Sequence, residues 1–292
     1  MSPEPVVPPL EGKLIAQDVS CLRRTPSNVL FEKGNFAALW FQREDAPALF
    51  HELCRQREIT FRLSGQGTGA ALDETPEDHW YHQLVLWDLR CERIAGAYRV
   101  GSTSEILPRI GVDGLYLSHM FEFAPEFFER HERSLELSRS FVVADYQNNQ
   151  FALPLLWRGL GEVVKILKAG MLFGSVTLAA DFSEKSRGLV VDWLVRHRCH
   201  QPCALARALR PFSNHELPGG WNPDRAIEKI RESVTDTEGR NKPIPTLLRH
   251  YLRLGASFHD FHVESSFNDA LYCLLEIDVN HIPDAHRRRF IA

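Results

Sequence analysis

Long apolar runs are missing from this chain. Nowhere do the roughly eighteen consecutive apolar residues of a bilayer-crossing helix occur. The opening Met1-Ser2-Pro3-Glu4-Pro5 has neither the positive nor the apolar stretch of a secretory leader, so no signal peptide is expected. Cysteine is sparse: Cys21, Cys54, Cys91, Cys199, Cys203 and Cys273 are scattered over 292 residues, the pattern of reduced thiols rather than of a disulfide framework. An excess of one charge is also missing. The 34 basic and 38 acidic residues leave a net charge of -4, which argues against a broad nucleic-acid footprint. No Gly-x-Ser-x-Gly elbow is present to support a serine hydrolase, and the isolated Gly65–Gly67 pattern is too common to define a nucleotide loop. His197, Cys199, His200 and Cys203 cluster without the second pair that a structural zinc site needs, so no metal is expected. His79, His82 and His119 are histidines of the kind more often structural than catalytic.

What is present is an ordinary globular balance, 44% hydrophobic and 25% charged, in a chain long enough to bury a sizeable core. Residues 1–33 are rich in proline and polar groups and read as a loosely held lead-in. A strand is expected over Asn35–Arg43, then a helix over Ala46–Phe61 with Asp45 as its N-cap, and then a flexible loop over Ser64–Gly69. Tyr81–Trp87 and Ile94–Val100 read as a hairpin, Gly114–Phe123 as a third strand and Leu135–Val143 as a fourth. Leu155, Leu156, Leu160, Val163, Val164 and Leu167 mark an amphipathic helix over Phe151–Lys168. Met171–Ala179 is strand-like, and Ser183 caps a helix reaching Arg196. Residues 199–243 change character and read as an insertion or mobile arm with a short helix at Asp224–Ser233. A helix at Thr246–Leu254 and strands at Phe258–Val263 and Leu271–Val279 follow, and the basic tail His286–Ile291 reads as a solvated end, with contact to an anionic membrane as the weaker alternative. This order defines an α/β (α+β) fold with a mixed, mostly antiparallel central sheet flanked by helices.

The segment Leu135–Val143 is the most informative. Glu136, Ser138, Arg139 and Ser140 interrupt an apolar strand, and polar groups inside a sheet need partners. A two-residue period puts Glu136, Ser138 and Ser140 on one face and Arg139 on the other. Glu136 and Arg139 can meet only if the strand bulges or twists sharply. On the residues alone, a structural ion pair or a solvated sheet face remains an equal reading.

The run Glu136-Leu137-Ser138-Arg139 resembles the Glu-x-x-Arg strand of the GNAT-related acyltransferases that include acyl-homoserine-lactone synthases. More of the chain resembles the hemolysin-like branch with its ornithine and glycine N-acyltransferases. The matching stretches are Arg57–Arg62 with the glycine-rich loop after it, Leu84–Asp88, Ala95–Arg99, Leu156–Gly159, Pro245–Leu254 and Phe258–Phe267, collinear from about Ala37 to Val279. The resemblance implies one GNAT-like domain over residues 34–292. It gives Glu136 the place of the general base, with Arg139 as its electrostatic partner and Ser138 beside them. It puts Arg57, Phe61, Asp78, Arg99 and Ser140 on the amine-substrate side, with Arg99 placed to pair with Asp78. The donor's acyl-pantetheine arm would lie against Val142, Val143, Asn148, Asn149 and Phe173, in a gap between the Glu136 strand and Met171–Ala179.

Two departures narrow the expectation. The tryptophan expected after the first helix in lactone synthases gives way to the Gly65–Gly69 loop, which favours the lipid-forming branch. The Gln/Arg-x-x-Gly-x-Gly acetyl-CoA turn is replaced by Tyr146-Gln147-Asn148-Asn149-Gln150, although a helix N-terminus there can still accept phosphate. The resemblance therefore implies a cytoplasmic enzyme, at most peripheral to the inner membrane. It would transfer a long 3-hydroxyacyl chain from acyl carrier protein, with acyl-CoA as the other possible co-substrate and no bound cofactor, to the α-amino group of a small amino acid. Synthesis of a homoserine-lactone-type or N-acyl amino acid signal, and a non-catalytic acyl-binding protein, are the alternatives.

Overall fold

A computed structural model describes residues 3–131, 133–199, 205–213, 217, 221, 227–239, 243–267 and 269–291. In chain order the strands are β1 (Val29–Lys33), β2 (Phe36–Phe41), β3 (His82–Asp88), β4 (Arg93–Ser102), β5 (Phe121–Phe123), β6 (Ser134–Val142), β7 (Met171–Leu178), β8 (Ala206–Ala208), β9 (Ser257–Glu264) and β10 (Ala270–Asp278). Eight of them form one sheet in the order β1-β2-β3-β4-β6-β7-β10-β9, and β5 pairs with β8 in a small second sheet. Every neighbour in the large sheet is antiparallel except β6 and β7. A parallel pair needs a crossover, which the helix between these two strands provides.

The helices are α1 (Gly12–Arg24), α2 (Pro47–Leu63), α3 (Thr103–Ile106), α4 (Glu126–Glu129), α5 (Ala152–Leu167), α6 (Glu184–Arg198), α7 (Ile227–Glu238), α8 (Thr246–Arg253) and α9 (Asp284–Phe290). One face of the sheet meets α1 and α2 through Ile15, Val19, Leu22, Leu49 and Leu53. The other meets α5, whose Leu155, Leu156, Leu160, Val163 and Val164 are buried as their spacing predicts. Burying such a side chain contributes roughly 1.5–3 kcal/mol. That outweighs the roughly 1 kcal/mol per residue lost to helix propensity at Gly159 and Gly161. Gly161 is there for space, because a Cβ on it would lie 1.5 Å from the Phe290 carbonyl oxygen. The tail expected as a solvated end is therefore the docked helix α9, with Phe290 buried and Arg287, Arg288 and Arg289 exposed.

Four more expectations change. Residues 12–24, read as part of a loose lead-in, form α1, and its Asp18 carboxylate accepts from the Ala48 and Leu49 amides at 2.7 and 3.0 Å. Asp18 thus does for α2 what Asp45 was expected to do, while Asp45 caps the short turn before it. The Ser64–Gly69 loop is pinned, not loose: Glu58 accepts from the Thr68 amide and hydroxyl and from the Gly69 amide at 2.7–3.0 Å. Only Phe121–Phe123 of the expected Gly114–Phe123 strand is extended, and residues 112–119 coil into two tight 3-10 turns. Ser183 does cap α6, accepting from the Ser186 amide at 3.2 Å. In the region read as an insertion, β8 joins β5, and α7 buries Ile230 and Val234 in the main core.

Candidate active site

The bend required of β6 is present. Ala97 of β4 faces Phe141 while Arg99 faces Ser138, so three steps on β6 oppose two on β4. The extra residue is taken up at Arg139, whose φ of 48° is the left-handed conformation that bulges use. Its effect shows in the packing. Leu137 joins the α5-side core and Phe141 the α2-side core, although four residues along a regular strand would point the same way.

Beyond the bulge β6 parts from β7. They pair only from Ser134–Met171 to Leu137–Gly174. At the last pair the chains press together, since a Cβ on Gly174 would lie 2.6 Å from the Leu137 carbonyl oxygen. Past it opens a cavity of about 600 Å³ whose walls include Ser138, Arg139, Ser140 and Val142 of β6 and Ser175, Val176 and Thr177 of β7. Leu153, Leu156 and Leu247 make one side apolar, and Phe61, Tyr116 and Tyr272 surround the Arg139 end. Asn148 and Asn149 line it near the start of α5. The phosphate cradle expected there is largely occupied. The Phe151 amide donates to Asn149 Oδ1 at 2.8 Å, the Ala152 amide to the Asn149 carbonyl at 3.4 Å, and Pro154 has no N–H.

Behind the Arg139 end lies a buried ionic cluster. Arg57 grips Asp78 through two nitrogens at 2.8 and 3.3 Å, and Arg99 reaches the same carboxylate at 3.3 Å, the pairing anticipated from the sequence. Burial alone would raise the Asp78 pKa, but the two guanidinium groups hold it well below the usual range. Arg99 also donates to Ser138 Oγ at 3.0 Å and to Thr75 Oγ1 at 2.6 Å. Asp73 stands between Arg57 at 3.3 Å and Arg139 at 3.1 Å. Arg57, Asp78 and Arg99 therefore back the cavity without forming its wall.

Glu136 has 0% exposure and does not pair with Arg139. Its carboxylate accepts from the Tyr81 hydroxyl and from the Tyr116 and Leu117 amides at 3.1 and 2.8 Å. Those two amides are why residues 115–119 turn instead of joining a ladder. Burial raises the Glu136 pKa to about 7, against the opposing pull of Tyr81, the two amides and Arg99. The electrostatic partnership expected between Glu136 and Arg139 is thus replaced by Asp73 for Arg139 and by hydrogen-bond donors for Glu136. The bulge does bring Arg139 round toward Phe61 and Tyr116, on the Glu136 side of the sheet, but the carboxylate it meets there is Asp73.

Two residues expected against the donor's arm lie off the cavity wall. Val143 packs into the cores, and Phe173 sits among Phe123, Phe127 and Phe128 on the part of β7 still paired with β6. Tyr81, Asp73, Tyr116 and Tyr272 were not singled out in the sequence. The only signal for Asp73 was its place just after the glycine-rich loop. Among the described residues no group of three metal-ligating side chains occurs, while His200 and Cys203 of the His/Cys cluster lie outside the described residues.

A bulged strand parting from a parallel neighbour over a substrate-sized cleft is the architecture of a GNAT domain, and residues 56–158 match the family model described as an acetyltransferase (GNAT) domain. Residues 56–158 are thus GNAT-like, and the chain is an acyltransferase. It is similar to a glycine N(alpha)-acyltransferase of Bacteroides thetaiotaomicron, at 28% identity over 99% of this chain and 90% of that one. It is similar also to a glycine N(alpha)-acyltransferase of Phocaeicola vulgatus, at 29% identity over 85% and 81%. The acyl-homoserine-lactone synthase BjaI aligns with 73% of this chain and 97% of its own at 12% identity, with a TM-score of 0.33, too loose a superposition to bear on function. No helix among the described residues is long and apolar enough to cross a membrane.

Proposed function

We propose that this enzyme transfers a long-chain (3-hydroxy)acyl group from acyl carrier protein to the α-amino group of a small amino acid, glycine before ornithine, giving an N-acyl amino acid for lipid synthesis. The observation that carries this reading is the cleft between β6 and β7, apolar along Leu153, Leu156 and Leu247 and polar around Arg139, Tyr116 and Ser138. An acyl chain fits the first wall and a zwitterion the second. The glycine N-acyltransferase relatives support the acceptor class. The crowded start of α5 favours a donor that is held by its carrier protein over one gripped by a nucleotide phosphate.

In the reaction the neutral amine attacks the thioester carbonyl, the C–N bond forms, the C–S bond breaks and the thiol leaves. Amides of β6 left unpaired by β7 are placed to bind the developing oxyanion. Glu136 takes the amine proton through water, since it lies behind the wall, and returns it to the departing thiolate. A carboxyl poised near 7 suits that task at neutral pH. Holding both partners in the cleft supplies much of the remaining acceleration.

Purified enzyme given acyl-acyl carrier protein or acyl-CoA, with glycine or ornithine, should form an N-acyl amino acid detectable by mass spectrometry. Glu136→Gln should lower kcat/KM by roughly 10²–10⁴ and remove the rise in rate through pH 7. Full activity in that variant sinks the role given to Glu136.

A further inference from the structure

Arg139 has an unusual setting. It is 8% exposed, lies on the cavity wall and is fixed there by the left-handed backbone of the bulge. Its guanidinium is enclosed by the rings of Phe61, Tyr116 and Phe267 at 5.1, 5.7 and 5.3 Å. Yet none of its nitrogens donates a hydrogen bond to a described residue, and its Nε is buried without a partner. Asp73 approaches at 3.1 Å but is shared with Arg57, and both Asp73 oxygens lack a hydrogen bond from the described residues. A buried guanidinium whose Nε–H has no acceptor, and whose one carboxylate neighbour is shared with Arg57, is costly unless something else accepts from it. The planar fork is suited to a carboxylate or a phosphate held by two parallel bonds, and of the two an amino-acid acceptor carries the carboxylate.

We propose that Arg139 is the anchor for the α-carboxylate of the acceptor amino acid, and that the aromatic ring around it restricts the acceptor to small α-amino acids. The assignment rests on the acyl-transfer reading above and adds to it the residue that selects the acceptor. In an α-amino acid one carbon separates carboxylate from amine. A carboxylate on Arg139 therefore holds the amine within a few bonds of Ser138 and Ser140, where β6 leaves β7 and the thioester enters. A longer spacer, as in a β- or γ-amino acid, carries the amine past that point. Phe61, Tyr116, Phe267 and Tyr272 crowd the same end, which suits a hydrogen side chain better than a three-carbon amine. Desolvation by these rings also strengthens the ion pair over its value in water.

The test has a transfer arm and a binding arm. In the first, wild type, Arg139→Lys and Arg139→Ala acylate glycine, glycinamide, β-alanine or ornithine from one acyl donor. Wild type should prefer glycine to glycinamide by roughly 10–100-fold in kcat/KM, the value of a charge-assisted fork. That ratio should shrink in Arg139→Lys and approach one in Arg139→Ala. A merely structural arginine would depress both substrates alike and leave the ratio in place, which overturns the proposal. So does a wild type indifferent to the carboxylate. In the second arm, thermal shift and calorimetry with glycine alone read the anchor without turnover. Binding to wild type that weakens in Arg139→Lys and is lost in a folded Arg139→Ala supports the anchor even if no amino acid is acylated, a result that would defeat only the acyl-transfer reading. Binding that survives in both variants overturns it.

Discussion

Asp78 is the side chain on which the buried charges depend. Two guanidinium groups converge on it, and neither Arg57 nor Arg99 reaches solvent. Asp78→Asn keeps the shape and removes the charge. It should cost about 3–5 kcal/mol, read from the midpoint of urea unfolding, because it leaves two buried cations short of their counter-charge. A loss under 1 kcal/mol would mean that Asp73 and Glu77 suffice. The sequence pointed to Arg57, Asp78 and Arg99 by resemblance, and the three do converge. It did not point to Tyr81, which lies 55 positions from the carboxylate it serves, because no local pattern encodes such a contact. The Arg139 reading was half legible. A Glu136–Arg139 pairing demanded a bulge and the bulge is present, but only the folded chain shows that Asp73 takes the arginine while Tyr81 and two amides take Glu136.

At the level of elements, periodicity found the hairpin, β6, β7, α5 and the last two strands, because each buries a regular face. It failed where another segment overruled it. Ile15, Val19 and Leu22 carry a helical spacing that flanking prolines obscured, and the turn at 115–119 is dictated by a carboxylate on β6. Asp18→Ala should loosen the start of α2 at a cost of roughly 0.5–2 kcal/mol, seen as a lower thermal midpoint. Gly161→Ala should force α9 off α5, costing about 1–3 kcal/mol and opening residues 284–290 to limited proteolysis. An unchanged cleavage pattern would show that the helix pair can slide to make room.

Across the whole molecule the buried acids make stability depend on pH. Asp78 and Glu276 are depressed; burial would raise Glu276, but His259 and Arg130 bring it to about 2. A depressed carboxylate stabilises the fold above its unfolded pKa, about 4, and that stability is lost as pH falls toward the folded value. Glu136 acts in the opposite sense: its contribution is present below its unfolded pKa and is lost as pH rises through about 7. The melting temperature should therefore fall between pH 5 and pH 3 in scanning calorimetry, and Asp78→Asn should flatten that fall. A wild-type midpoint that holds steady to pH 3 would mean these carboxylates are not ionised in the folded chain.

The short pairing of β6 with β7 also divides the large sheet in two. Among the described residues, four pairs, Ser134–Met171 to Leu137–Gly174, are all the ladder that joins the half made of β1, β2, β3, β4 and β6 to the half made of β7, β10 and β9. Below the last of them the two halves stand open like the tip of a crack, with the cleft as its mouth. Under the proposed function, a donor lying along that line would bridge the gap, its amide groups bonding to edges that the protein leaves untied. Loading the donor should then stiffen the whole sheet and slow hydrogen exchange on both lips of the cleft, with unchanged exchange there counting against a donor in this gap.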